Sequence, residues 1–226
     1  MFSEQELQEL SQPTYWNARY LAEQQNPHEK HTGNLNCIKS YEWFRTFDSL
    51  YPFFQKHIGP PSNAIKILHL GCGNSSLTSD LYHEGYTNQI SIDFSPVLID
   101  AMKKKYSSLE TEWSVMDVRE LDLEVESVDF AIDKGTLDAF LHGSLWDPPE
   151  DVAKNVGLYV DQIMRVLKLG GKWLYITYRQ PHFIKPFLYR INSTTDVEVL
   201  DDVNGAGCFS YFGYIISKEG NIDSQS

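Results

Sequence analysis

The residues of this chain best suited to chemistry are two glycines and an acid. Leu70-Gly71-Cys72-Gly73-Asn74-Ser75 directly follows the apolar run Ile65-Lys66-Ile67-Leu68-His69. A strand therefore ends in a turn where glycine supplies backbone angles closed to other residues and lets a ligand press on the main chain. About twenty residues beyond those glycines, Gln89-Ile90-Ser91-Ile92-Asp93 reads as a second short strand ending in a carboxylate, the position of a ribose-binding acid. Ser76 stands where a dinucleotide fingerprint has its third glycine, and no phosphate-gripping lysine follows as in a P-loop. Gly71, Gly73 and Asp93 thus fit a ligand with a ribose and no pyrophosphate. S-adenosylmethionine is such a ligand.

Alternating strands and helices must hold those residues. A helix is expected near Ser76 to Glu84, then the strand into Asp93 and a helix opening Ser95-Pro96, with serine as cap and proline in the first turn. Glu112 to Met116 is a third strand and Ser127 to Asp133 a fourth, followed by a helix from Thr136 and a longer one over about Val152 to Leu167. Gly170-Gly171 turns into a fifth strand, Lys172 to Thr177, and the β-rich runs Asp196 to Leu200 and Cys208 to Ser217 leave no room between them for a helix. The expectation is an α/β fold: a doubly wound, Rossmann-like, seven-stranded sheet, mostly parallel with a C-terminal antiparallel hairpin, occupying residues 61–226.

Residues 1–60 read as a helical lid segment. Ser3 stands three residues before Glu6 as in a capping box, Tyr15-Trp16-Asn17-Ala18-Arg19-Tyr20 follows Pro13 as a second helical piece, Asn26 to Asn36 is polar loop, and Tyr41 to His57 is helical and aromatic. Gly59-Pro60-Pro61 ends it. So short and aromatic a segment is not expected to fold alone.

Composition narrows the function. The net charge of −12 over 226 residues opposes binding to bare nucleic acid and favours a basic partner. No apolar run is long enough to span a membrane, and Met1-Phe2-Ser3-Glu4-Gln5-Glu6 lacks the basic and apolar pattern of a targeting peptide, so a cytoplasmic location is expected. Cys37, Cys72 and Cys208 are widely spaced with no CxxC, which reads as plain thiols and no metal site.

The chain resembles the seven-stranded, S-adenosylmethionine-dependent methyltransferases, and within them the branch that includes eukaryotic lysine methyltransferases of translation elongation factor 1-alpha. The resemblance lies in Tyr15-Trp16-x-x-Arg19-Tyr20, Tyr41-Glu42-Trp43-Phe44, Leu70 to Ser75, Asp93-Phe94-Ser95, Met116-Asp117-Val118 and Asp133-Lys134-Gly135-Thr136-Leu137-Asp138-Ala139. It spans nearly the whole chain and loosens after Pro181-His182-Phe183. It implies that Gly71 touches the methionine part, Asp93 and Phe94 the ribose, and Asp117 with Val118 the adenine. Trp16, Tyr20, Trp43 and Lys134 are implied around the cofactor as well. Aromatic faces also suit a sulfonium by cation–π attraction, Asp117 can accept from an adenine amino group, and Arg19 or Lys134 can pair the methionine carboxylate, arginine with two prongs. Taken apart from the resemblance, aromatic residues at helical spacing are more often core than cofactor contact.

The resemblance also implies a basic protein acceptor. Freeing the lone pair of a lysine amine at pH 7 costs roughly 4.6 kcal/mol; the adjacent sulfonium charge and an apolar lid both lower the amine's pKa, and a carboxylate can attract the ammonium and accept its proton. Asp133 and Asp138 are the candidates, Asp133 because a strand-end carboxylate faces the crevice, although Asp138 reads equally as a solvated helix residue. The Asn/Asp-Pro-Pro-aromatic motif of amide and adenine methyltransferases is replaced here by Asp133-Lys134-Gly135-Thr136. A small-molecule methyltransferase and a non-catalytic cofactor-binding module stay open as alternatives. His142 and His182 read as structural or exposed, and Trp146-Asp147-Pro148-Pro149 as a loop that can shape the substrate entrance.

Overall fold

The computed structural model describes residues 4–25, 38–200 and 210–220. Ser3, the loop expected over 26–36, Cys37 and Cys208 lie outside them. The elements run α1 (Glu4–Glu9), α2 (Pro13–Gln25), α3 (Phe47–Ile58), β1 (Ile67–Leu70), α4 (Leu77–His83), β2 (Gln89–Asp93), α5 (Pro96–Lys105), β3 (Glu112–Val115) and β4 (Val128–Lys134). A 3₁₀ turn (Leu137–Phe140) follows, then α6 (Glu150–Val166), β5 (Leu167–Thr177), α7 (Pro181–Leu188), β6 (Ser193–Leu200) and β7 (Tyr211–Lys218). The seven strands form one sheet ordered β3-β2-β1-β4-β5-β7-β6. Strands β1 to β5 pair in parallel and β7 runs antiparallel to both β5 and β6. The expected architecture is therefore the observed one.

Both faces are covered. Helix α6 lays Val152, Val156, Tyr159, Val160 and Ile163 on one face, against Ala131 and Trp173 of the central strands. The other face receives α3, whose Leu50, Phe53, Phe54 and Ile58 fall at helical spacing and pack with Ile67, Ile132 and Leu174. Gly213 lets Phe53 approach, since a Cβ there would lie 2.6 Å from the Phe53 ring. Helix α3 thus belongs to the core of the sheet, and the part of residues 1–60 that borders the cavity described below ends before Phe47. Among the described residues, no helix is long and apolar enough to cross a membrane.

Several local expectations are corrected. The helix expected over 41–57 starts at Phe47, and the residues before it are irregular, with Phe44 at φ 64°. That conformation seats the Phe44 ring over Gly135, where a Cβ would lie 2.9 Å from a ring carbon. The helix expected from Thr136 is a single 3₁₀ turn. Gly170 and Gly171 lie inside β5, which begins directly after α6, and α7 was not anticipated from its sequence at all. Pro181 at its first turn and Pro186 within it mask the helical pattern.

Candidate active site

Strand register builds the floor of the site. Leu70 is level with Ile92 of β2 on one side and Asp133 of β4 on the other, so the turn after β1 sits where the strand order reverses, the crevice of a doubly wound sheet. Gly71 and Gly73 both hold left-handed backbone, at φ 57° and 54°. Gly71 is required by a neighbour within the chain: a Cβ would lie 2.4 Å from Thr136 Oγ1, which donates to Leu70 O at 2.8 Å. The turn presents the Gly73 N–H to Asp93 Oδ2 at 3.2 Å, and Ser95 N donates to Oδ1 at 3.0 Å. An ionised carboxylate has about four acceptor positions. Two protein donors leave room for two more, which matches a ribose diol. Burial raises the Asp93 carboxyl to about 6, opposed by those two N–H groups.

A cover of aromatic residues closes the crevice. Trp16, Tyr20, Trp43 and Phe44 line a cavity of about 240 Å³ together with Gly71, Gly73, Asp93, Phe94, Val118, Lys134 and Asp138. Trp16 packs edge-on to Trp43 at 6.3 Å and tilted against Tyr20 at 5.8 Å. Arg19 stacks among three rings, 5.3 Å from the centre of Trp16, 5.6 Å from Tyr41 and 5.4 Å from Trp43, and its Nε donates to Glu23 at 3.0 Å. It braces the cover and is not itself among the residues that line the cavity.

Glu42 fastens this cover to the sheet. Its carboxylate accepts from Ser75 Oγ (2.8 Å), Ser76 N (2.7 Å) and Lys134 Nζ (2.6 Å), and Lys134 also donates to Trp43 O at 3.1 Å. Burial works against the Glu42 charge, but Lys134 and the serine donors outweigh it and hold the carboxyl below its ordinary value. Lys134, 6% exposed, is pushed down by burial against the pull of Glu42. Lys134 thus lines the cavity as expected, with its ammonium committed to the cover. The part Glu42 plays is not marked by its neighbours in sequence. An acid inside the run Tyr41-Glu42-Trp43-Phe44 has to find a charge partner, and that was the available signal.

The two candidate acids behave differently. Asp133 lies outside the cavity wall, fully buried, and accepts from Thr136 N (2.7 Å), Leu137 N (3.1 Å) and Tyr159 Oη (2.9 Å). With a weaker fourth contact from Leu137 N to Oδ1 at 3.4 Å, its acceptor positions are filled. It caps the 3₁₀ turn. The expectation that Asp133 faces the crevice is corrected, because alternation along β4 sends Asp133 toward α6 and Lys134 toward the cover. Burial, then the nearby Asp138, raise its carboxyl to about 7. Asp138 does line the cavity. It accepts from Thr177 Oγ1 (2.8 Å) and Arg179 Nε (2.9 Å) on Oδ1 and from Tyr175 Oη (2.8 Å) on Oδ2, which leaves one position of Oδ2 unused. Burial raises it, with Arg179 as the main opposing influence.

Asp117 is not among the residues that line the cavity. It closes onto Arg119, with Nη2 to Oδ2 at 2.6 Å, and the cavity wall is made by its neighbours Met116 and Val118. Hydrogen bonds from Arg119 outweigh burial and hold Asp117 low. Tyr178 and Arg179, at the end of β5, line the cavity without having been singled out. Their strand end lies beside that of β4, the standard place for site residues in this architecture. Cys72 is half-buried beside Asp93, its thiol pushed well up by burial.

Comparison with known proteins agrees with this arrangement. A methyltransferase domain model matches residues 68–175. EEF1A lysine methyltransferase 4 of Mus musculus is 37% identical over 146 residues, covering 63% of this chain and 56% of that protein. The eEF1A lysine and N-terminal methyltransferase of Bos taurus is 36% identical over 149 residues, 65% of this chain and 20% of that one. A Drosophila melanogaster homolog of it is 33% identical over 190 residues, 82% of this chain and 25% of that one. The match thus spans little more than half of the mouse relative and about a quarter or less of the longer ones. Among solved structures, an S-adenosylmethionine-dependent methyltransferase from Leishmania major superposes with TM-score 0.63 at 11% identity, over 95% of this chain and 91% of that one. A [4+2]-cyclase superposes with TM-score 0.59 at 13% identity, over 94% of this chain and 97% of that one, so this architecture also carries other reactions. Residues 68–175, which match the methyltransferase domain model, hold the glycine turn, Asp93, Lys134 and Asp138.

Proposed function

We propose that this chain is an S-adenosylmethionine-dependent protein-lysine N-methyltransferase whose acceptor is translation elongation factor 1-alpha, acting in the cytosol. The observation that carries the reading is the pair of unused acceptor positions on Asp93, facing an aromatic-lined cavity at the switch point of the sheet. S-adenosylmethionine supplies an activated methyl group on a sulfonium. Asp93 fits its ribose, the neighbouring Phe94 and Val118 supply apolar walls, and Trp16, Tyr20 and Trp43 supply faces that attract a positive centre. The rest of the work is alignment, worth at most about 7–11 kcal/mol, and deprotonation of the acceptor amine.

Asp138 is suited to the second task. Its one unused acceptor position can take an ammonium hydrogen, and its three protein donors hold the carboxylate still. Asp133 acts one layer back, fixing the turn that carries Asp138. The acceptor protein is chosen on the similarity to relatives named for that activity, and the net charge of −12 favours a basic partner.

Incubation of the purified protein with labelled donor and elongation factor 1-alpha tests the reading. Label on a lysine of the factor is expected, lost in Asp93→Ala through donor binding and in Asp138→Asn mainly through kcat. Label confined to small molecules of a cytosolic extract would replace the protein acceptor by a small one. Fractionation of cells checks the cytosolic location.

A further inference from the structure

The two chain segments that form the Asp138 end of the cavity continue outward and meet again on the surface. One runs from the wall residues Asp138, Ala139 and Phe140 into the loop before α6, and the other from the wall residues Tyr178 and Arg179 into α7. Arg179 Nη2 binds Leu141 O at 2.9 Å and ties the two together at the rim. Beyond that tie, Trp146 packs against His182 at 5.9 Å and edge-on to Phe183 at 5.1 Å, while His182 and Phe183 lie 4.0 Å apart. Trp146 is nevertheless 76% exposed. A large indole held in place by two rings and left open to water is a preformed binding face, since its rotamer is already fixed before anything binds.

The Trp146 side of that face carries negative charge, while Lys185 lies one turn on from His182 in α7. Asp147 follows Trp146 directly, and Glu150 and Asp151 open α6 immediately after Pro148-Pro149; all three acids are exposed. Asp151 is partly engaged by His142 at 3.1 Å. Glu150 and Asp151 also oppose the positive end of the α6 dipole. Asp147 stands outside the helix and has no such role. An exposed indole bordered by acids selects a cation with an apolar stem, the chemistry of an arginine or lysine side chain.

We infer that Trp146, His182 and Phe183, with Asp147 and Glu150 at their edge, form a docking site for a basic side chain of the protein acceptor, separate from the lysine that enters the cavity. The inference deepens the proposed function and rests on it. The site gives the enzyme a second grip on a folded protein, so that the reacting lysine is chosen by what lies beside it.

The test uses elongation factor 1-alpha as probe with intact enzyme, Trp146→Ala, and the double charge reversal Asp147→Lys/Glu150→Lys. Donor affinity and melting temperature report that each variant is folded. The expected result is a rise of KM for the factor of about tenfold in each variant with kcat within about twofold, and a salt dependence weakened in the charge-reversed enzyme. Unchanged KM in Trp146→Ala overturns the docking site and leaves the proposed function standing. If the unaltered enzyme transfers no methyl group, binding of the factor is measured by fluorescence anisotropy. Binding lost in Trp146→Ala then supports the docking site while the proposed activity fails, and binding that is equal in both, or absent from both, overturns the docking site as well.

Discussion

The floor and the cover of the cavity are built by different means. The floor follows from strand register: Leu70 beside Ile92 and Asp133 places Gly71, Asp93 and Lys134 together with no long side chain to reach across. The cover is held by side chains from distant sequence, Glu42 on Ser75, Ser76 and Lys134, and Arg19 among Trp16, Tyr41 and Trp43. Damage to the packing of the floor should therefore cost the domain stability, whereas damage to the cover should chiefly loosen its hold on the ligand. Each can be broken on its own.

The largest effect is expected in the floor. Gly71→Ala puts a Cβ 2.4 Å from Thr136 Oγ1 at φ 57° and should cost about 3 kcal/mol of stability, from the left-handed backbone and the overpacking combined. Denaturant unfolding measures it. Adding Thr136→Ala should recover most of the steric part, leaving the backbone part and the lost hydrogen bond to Leu70 O, and a loss under about 1 kcal/mol in the single variant would mean that the floor has slack.

In the cover, Glu42→Gln removes the charge partner of the buried Lys134 ammonium; breaking a fully buried pair from one side costs about 3–5 kcal/mol, and with Glu42 21% exposed about 2 kcal/mol is expected here. The loss should appear as donor affinity weaker by about thirtyfold and faster amide exchange over residues 13–25 and 41–46, with the unfolding midpoint of the sheet little moved. Lys134→Met in the same chain should restore part of it, because the unpaired charge is gone. A sheet that loses as much stability as the cover would erase the distinction.

The same distinction decides what could be read from sequence. The succession of strands along the chain, the glycine turn and Asp93 are legible because they depend on residues close in the chain and on period-two alternation. Asp133 was misplaced although that same alternation, with Phe130 and Ile132 on the α3 face, sends it to the opposite one. Glu42, Tyr178 and Arg179 act through partners 30 or more residues away, and no local pattern marks such a partner. Helix α3 was assigned to the lid by its position in sequence, whereas its apolar spacing of Leu50, Phe53, Phe54 and Ile58 already described a helix that covers a sheet.

A pH titration probes the floor without mutation. Burial puts the Asp93 carboxyl at about 6 in the free protein, and ribose hydroxyls donate to its ionised form. Donor affinity should therefore be full above that value and fall as pH drops through it, up to about tenfold per unit. The sign for stability is the reverse: a carboxyl raised above its unfolded value near 3.9 favours the folded state at low pH, and that advantage is lost as pH rises from about 4 to 6. Calorimetry across pH 5 to 8 checks the first, and Asp93→Asn should flatten the curve.

The smallest effect is expected at Arg19, and it bears most directly on how the cover is held. The guanidinium lies within 5.6 Å of the centres of three rings, two of which, Trp16 and Trp43, pack on each other at 6.3 Å across the cavity roof. Arg19→Lys keeps the charge and the reach to Glu23 but replaces a planar stacking group with a compact ammonium. The rings lose a shared surface worth about 0.5–1 kcal/mol at a site this exposed, so the donor should dissociate about two- to fivefold faster by stopped-flow fluorescence, with the melting temperature unchanged. A fall in melting temperature with an unchanged off-rate would place Arg19 in the fabric of the domain. It would also move the boundary between floor and cover from Glu42 back into α2, because the bracing of Trp16 would then be part of what folds the sheet.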